Sequence, residues 1–201
     1  MSENTVIAVS FVDPSNAYQA LSELRGAGLE GRVEVLAASI VTRDLEGRLY
    51  TPEGDDTVAG APTIGGSLVG LMIGVIGGPV GMLFGWTGGL LVGGAYDIHR
   101  ADDTDSVLGE ISRYIPAGGT ALVAELDEYA TEVVDTLMAE QGGLVYRRSA
   151  DVVREELEAA QEAYRKAQKE AAKAERELHK AERHEKAEER KAAIKEKLNV
   201  H

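Results

Sequence analysis

The sequence predicts an α+β protein: a ferredoxin-like split βαβ sandwich, interrupted by a glycine-zipper helical hairpin and followed by a long C-terminal helix. Three observations predict it. Short β-branched runs alternate with amphipathic stretches in the order strand, helix, strand, twice over. Between the two halves, residues 57–96 carry no charge at all. Beyond residue 149 the chain turns to Ala, Glu, Lys and Arg, with apolar positions seven apart.

The first half, residues 1–56, opens on Thr5-Val-Ile-Ala-Val-Ser-Phe-Val12, a β-branched apolar run bounded by Asp13-Pro14. It reads as a buried strand. Asp13 or Ser15 can cap a helix with Ala17, Ala20, Leu21 and Leu24 on one face and Gly28 past its end. Val33 to Thr42 reads as a second strand, and Arg48 to Thr51 as a short return after the turn Asp44-Leu-Glu-Gly47.

The uncharged insert, residues 57–96, carries two glycine ladders stepping by four: Gly66, Gly70, Gly74 and Gly78, then Gly77, Gly81, Gly85, Gly89 and Gly93. On a helix this spacing lines small residues along one face and lets backbones approach closely. Gly78-Pro79 falls where the ladders meet and predicts a turn between arms at residues 64–77 and 80–95. The first arm would span roughly 21 Å at ~1.5 Å per residue. A bilayer core is about 30 Å thick, so each arm is short for a full span. A pinched two-pass hairpin, a re-entrant loop and a hairpin buried in a soluble oligomer all remain open. Gly in a water-exposed helix costs about 1 kcal/mol relative to Ala, so the stretch calls for close packing or lipid. Trp86 sits mid-arm, and Tyr96 stands where an interfacial anchor belongs. Arg43, Arg48 and Arg100 flank the insert as positive-inside charges, offset by Glu53, Asp55 and Asp56.

In the second half, residues 97–149, Asp102-Asp103-Thr104 offers caps for a helix to about Tyr114, striped by Val107, Leu108, Ile111 and Ile115. This helix is an extra element leading out of the insert. Thr120 to Leu126 reads as a strand, Thr131 to Glu140 as a helix, and Leu144 to Arg148 as a last short strand. The head is therefore expected to close at Arg148 without the insert.

In the tail, residues 150–201, Ala150, Leu157, Tyr164, Ala171 and Leu178 form one heptad position, and Val153, Ala160, Ala167, Ala174 and Ala181 another. A weak coiled coil with an Ala-rich seam is one reading. A solvated single helix held by pairs such as Glu162–Lys166 and Glu182–Lys186 is the other.

Charge and composition exclude several chemistries. Residues 1–150 hold eight arginines against twenty-one acidic residues, while the tail holds thirteen of each sign, so the front carries the whole net charge of −13. Such a body repels phosphate backbones, and no nucleic-acid partner is expected. With no cysteine, thiol catalysis and thiolate metal sites drop out. Asp97, His99, Asp102, Asp103 and Asp105 are the densest set of metal-type ligands, but a helix N-terminus enriched in acid explains them. There is no Lys before Lys166, so the Gly runs are not a phosphate loop. Neither catalytic residues, nor a cofactor, nor a metal are expected. Met1 to Val12 lacks the regions of a signal peptide.

The pattern resembles the predicted membrane proteins grouped as domain-of-unknown-function family 1269. The similar parts are Val6-Ile-Ala-Val-Ser-Phe, Ala20-Leu-Ser-Glu-Leu24, Ala38-Ser-Ile-Val-Thr42 with Asp44-Leu-Glu-Gly-Arg48, Gly93-Gly-Ala-Tyr-Asp97 and Gly119-Thr-Ala-Leu-Val-Ala124. The resemblance covers roughly residues 5–149. It implies a small α/β domain interrupted by a Gly-rich hydrophobic segment, and no activity. The expectation is a non-enzymatic, membrane-associated protein that self-assembles through Gly66, Gly70, Gly74, Gly77, Gly81, Gly85, Gly89 and Gly93. Its partners would be copies of itself, the lipid bilayer and a partner helix for the tail. It would sit at the cell membrane with head and tail cytoplasmic. The alternatives are a soluble oligomeric scaffold or shell with buried hairpins, and a pore subunit, for which only Thr63, Ser67 and Thr87 could line a lumen.

Overall fold

The computed structural model describes residues 2–45, 49–52, 67–78 and 106–198. Five strands and five helices occur among them: β1 (Glu3–Ser10), α1 (Pro14–Leu29), β2 (Glu34–Arg43), β3 (Leu49–Tyr50), α2 (Leu68–Gly77), α3 (Val107–Tyr114), β4 (Thr120–Glu128), α4 (Thr131–Glu140), β5 (Leu144–Ser149) and α5 (Ala150–Leu198). The strands form one sheet in the order β3-β2-β4-β1-β5, with every neighbouring pair antiparallel. β4 thus lies between β1 and β2, and β1 between β4 and β5. Each βαβ unit straddles a strand of the other.

Local chemistry sets the element ends. Asp13 caps α1 by accepting the Ser15 N–H at 2.9 Å, and Pro14 follows at the first helical position. Gly28 was the expected stop, but α1 runs to Leu29. The terminating residue is Gly31, with φ 71°, where the Arg32 N–H donates to Ala27 and the Gly31 N–H to Gly28. Gly142 ends α4 in the same way, with φ 70° and the Gly143 N–H donating to Met138 at 2.8 Å. The N-cap of α3 is Ser106, whose side chain accepts the Gly109 N–H at 3.0 Å; Asp102, Asp103 and Thr104 lie outside the described residues.

Both faces of the sheet are buried. On one, Ile7, Val9, Ile40, Leu122, Ala124 and Leu126 meet Leu21 and Leu24 of α1 and Val134 and Met138 of α4. On the other, the alternate strand positions Val6, Ala8, Val41, Ala121 and Val123 are equally buried. Covering this second face falls to α2, which packs on β2, β3 and β4, and to α3, which packs on β1, β5 and α2. The start of α5 completes it: Ala150, Val153, Leu157 and Ala160 are buried.

Two expectations are corrected by this second layer. The first arm of the insert belongs to the head, because residues 68–77 lie on its sheet. The compact head extends beyond Arg148, through Gln161. The remaining residues, 162–201, form a separate unit. In it Tyr164 and Ala167 are half-buried, while Ala171, Ala174, Leu178 and Ala181 are exposed. Among the described residues no helix is long and apolar enough to cross a membrane.

Candidate interaction site

The α2 helix is the described part of the insert, and its ten residues, LVGLMIGVIG, include no polar side chain. Ser67 starts it by accepting the Gly70 N–H at 3.1 Å. Leu68, Val69, Met72, Val75 and Ile76 face the head and are buried. Leu71 and Gly74 stand on the opposite side, Leu71 with 41% of its surface exposed. A helix apolar on every side is stable when both sides are covered. Here the sheet covers one.

The glycine ladder reads differently on this helix. Gly77 does sit at a close approach, but to strand β3. A Cβ there would meet the Leu49 Cβ at 2.7 Å and the Leu49 carbonyl oxygen at 2.9 Å. A Cβ on Gly74 would meet nothing within 4 Å. Gly70 is half-buried. Gly66, Gly81, Gly85, Gly89 and Gly93 lie outside the described residues, as do Trp86, Tyr96, Asp97, His99, Asp102, Asp103 and Asp105.

Beside the N-terminus of α2 runs a groove of about 570 Å³. Its walls are Leu36, Leu68, Leu71 and Leu157, and Glu125 and Arg154 lie within it. Leu36 is available there because β2 shifts register between Val35 and Ala37. Glu125 is buried, with its Oε1 3.4 Å from the Arg154 guanidinium. Burial pushes its carboxyl above the usual range, the Arg154 charge pulls it back and Asp127 adds to the rise. The folded state therefore favours the protonated acid. That contribution is fully present below the unfolded-state pKa and is lost as pH rises through the raised value. Glu125→Gln is accordingly expected to raise the Tm at pH 7, with the gap to wild type closing as the pH falls and wild-type Glu125 takes up its proton. A lower Tm for the variant at pH 7 would show that the pairing with Arg154 outweighs the burial cost.

Two polar clusters tie α3 into the second layer. At its N-terminus, Glu156 of α5 accepts the Val107 N–H at 2.8 Å and the Ser106 hydroxyl. At its C-terminus, the buried Arg43 donates to the carbonyls of Ser112 at 3.0 Å and Ile115 at 3.1 Å. Burial lowers the Arg43 pKa, with Asp44 opposing. Arg43 thus places its charge on the end of a helix in the head, which removes it from the set of membrane-flanking cations. On the outer edge, Tyr146 donates to Glu110, Arg148 pairs with Glu110 at 2.8 Å, and the Arg148 guanidinium lies 4.3 Å over the Tyr146 ring. The Tyr146 hydrogen bond leads in holding the Glu110 carboxyl below its ordinary range. These groups satisfy one another and pin α3 against β5. Among the described residues no group of three or more His, Cys, Asp or Glu is arranged to hold a metal.

No protein-family model, no curated protein and no solved structure matches the chain. The residues themselves therefore carry the functional argument. Sequence reasoning missed Glu125, Glu156 and the groove. The one available signal for Glu125 was a lone acid inside the apolar run Ala121–Leu126.

Proposed function

We propose that this is a non-enzymatic, membrane-associated, self-assembling protein, with a ferredoxin-like head that holds the first arm of its glycine-rich insert against the sheet. The strand order of the four longer strands, β2-β4-β1-β5, supports the ferredoxin-like assignment of the head. The single observation that carries the function is α2, apolar on all sides and covered by the head on one side. Leu71 and Gly74 lie on its outer face, and the sequence after it is uncharged as far as Tyr96. Lipid or another helix is the cover that such a surface requires. With the first arm docked, a re-entrant or peripheral insertion fits better than a two-pass hairpin. Gly81, Gly85, Gly89 and Gly93 then supply the association face beyond the docked arm, alongside Gly66, Gly70 and Gly74. Membership of the family that the sequence resembles is part of the same proposal.

A soluble scaffold is the second reading, favoured by α2 being sheltered by protein rather than lipid. Two measurements separate the readings. Fractionation of the expressed protein is expected to place it in the membrane pellet, extractable by detergent and not by high salt. Gly81→Leu combined with Gly85→Leu adds bulk where backbones should meet. Chemical crosslinking is expected to give fewer or smaller oligomers of this variant, still in the pellet. Wild-type protein in the soluble fraction would remove the membrane role, and unchanged crosslinked species would remove the glycine face.

A further inference from the structure

The exposed tail helix separates its charges by face. Take Tyr164, Ala171 and Leu178 with Ala167, Ala174 and Ala181 as the apolar seam. The positions flanking it between residues 162 and 181 are Ala163, Gln168, Glu170, Glu175 and Glu177. None is basic and three are acidic. The opposite side carries Arg165, Lys166, Lys169, Lys173, Arg176 and Lys180, with Glu162 as its one acid. His179, also on that side, stands 3.8 Å from Glu175.

Flanking charges decide which helices pair along such a seam. In a parallel pair of two copies, Glu170 of one helix falls opposite Glu175 of the other, and Glu177 opposite Glu182. In an antiparallel pair, flanks of the same kind face each other, and their charged members are again glutamates. Both arrangements set like charges across a narrow Ala-rich contact, where little buried area is available to offset them. Ala171, Ala174 and Leu178 are nevertheless exposed along one line.

We propose that the tail seam is a docking surface for a partner helix of opposite character, with small apolar seam residues and Lys or Arg flanks, and that it does not pair with a second copy of itself. The proposal rests on reading the tail as an interaction helix and names the chemistry of what it takes. The basic rear face remains in water in this complex and keeps the tail soluble.

The test uses the full-length protein and three fluorescently labelled three-heptad peptides. One carries a Leu/Ala seam with Lys at every flank position, the second the same seam with Glu flanks, and the third a scrambled order of the first. Anisotropy titration at low salt is expected to show the Lys-flanked peptide binding at least ~tenfold more tightly than both others. Replacing Glu170, Glu175 and Glu177 together by Lys is expected to invert the preference between the first two peptides. Ala171→Gln with Leu178→Gln keeps both charge and helix propensity, and is expected to weaken binding of the Lys-flanked peptide at least ~tenfold with unchanged far-UV circular dichroism. Equal binding of the scrambled peptide, or full binding by the Gln variant, would show attraction to net charge alone and overturn the proposal. So would saturable binding to anionic phosphatidylserine vesicles with none to any peptide, which would make the rear lysines the working face. The readout is independent of the glycine faces. Loss of oligomers in the Gly81→Leu, Gly85→Leu protein leaves peptide binding intact, and loss of peptide binding leaves the glycine-dependent oligomers intact.

Discussion

Ending the chain after Ser149 is expected to unfold the head, whereas ending it after Gln161 should leave a cooperative transition close to that of the full chain. The shorter protein loses Val153 and Leu157, both essentially inaccessible to solvent. Each is worth about 1.5–3 kcal/mol of burial. It also loses Glu156, which accepts the first N–H groups of α3, at about 1 kcal/mol for such a cap. Removing Arg154 also takes away the cationic neighbour of Glu125. Together these approach the roughly 5–15 kcal/mol by which a domain is stable. Thermal melts followed by far-UV circular dichroism are the measurement. Equal Tm values for the two truncations would show that the first turns of α5 merely rest on the sheet.

The seven-residue repeat of the tail shows why this contact was hard to read. Ala150, Val153, Leu157 and Ala160 have the spacing of a coiled-coil seam, and the same spacing describes any helix that buries one stripe. Periodicity identifies the stripe and is silent on what it meets. A usable signal lay elsewhere, in the strands. β1 has Val6 and Ala8 on one face and Ile7 and Val9 on the other, and β4 has Ala121 and Val123 opposite Leu122 and Ala124. Strands apolar at both parities belong to a sheet covered on both sides. Two helices, α1 and α4, cover only one. Counting faces would have assigned α2, α3 and the start of α5 to the other.

Element order and most boundaries were legible because local chemistry sets them. Asp13-Pro14 starts α1, and residues 131–140 form α4 over the expected span. The site was less so. Gly77 belongs to a ladder of small residues, yet its near neighbour is the Leu49 backbone. A spacing of four says that something comes close to the helix; whether helix or strand depends on tertiary placement. Glu125 and Arg154 are 29 positions apart and meet because α5 returns across the sheet directly after β5.

Removing residues 58–96 and joining the ends with a short Gly-Ser linker is expected to yield an aggregating head, against the sequence expectation that the head closes without the insert. The deletion takes away α2. Five buried side chains go with it: Leu68, Val69, Met72, Val75 and Ile76. At ~1.5–3 kcal/mol each they contribute about 8–15 kcal/mol, an upper figure because unfolded chains already bury some of this surface. Even discounted, the loss rivals the whole stability of a domain. It also opens apolar positions on β2 and β4 that α2 packs against, producing the kind of patch that drives association. Removing only residues 80–96, with the same linker, keeps α2 and its Leu49 contact. That protein is expected to keep a cooperative melt, unlike the one lacking residues 58–96. The pair of deletions therefore divides the insert into a part that completes the head and a part available for membrane or self-association. A soluble, cooperatively melting protein lacking residues 58–96 would place α2 among the dispensable elements and return the whole insert to the role of a detachable hairpin.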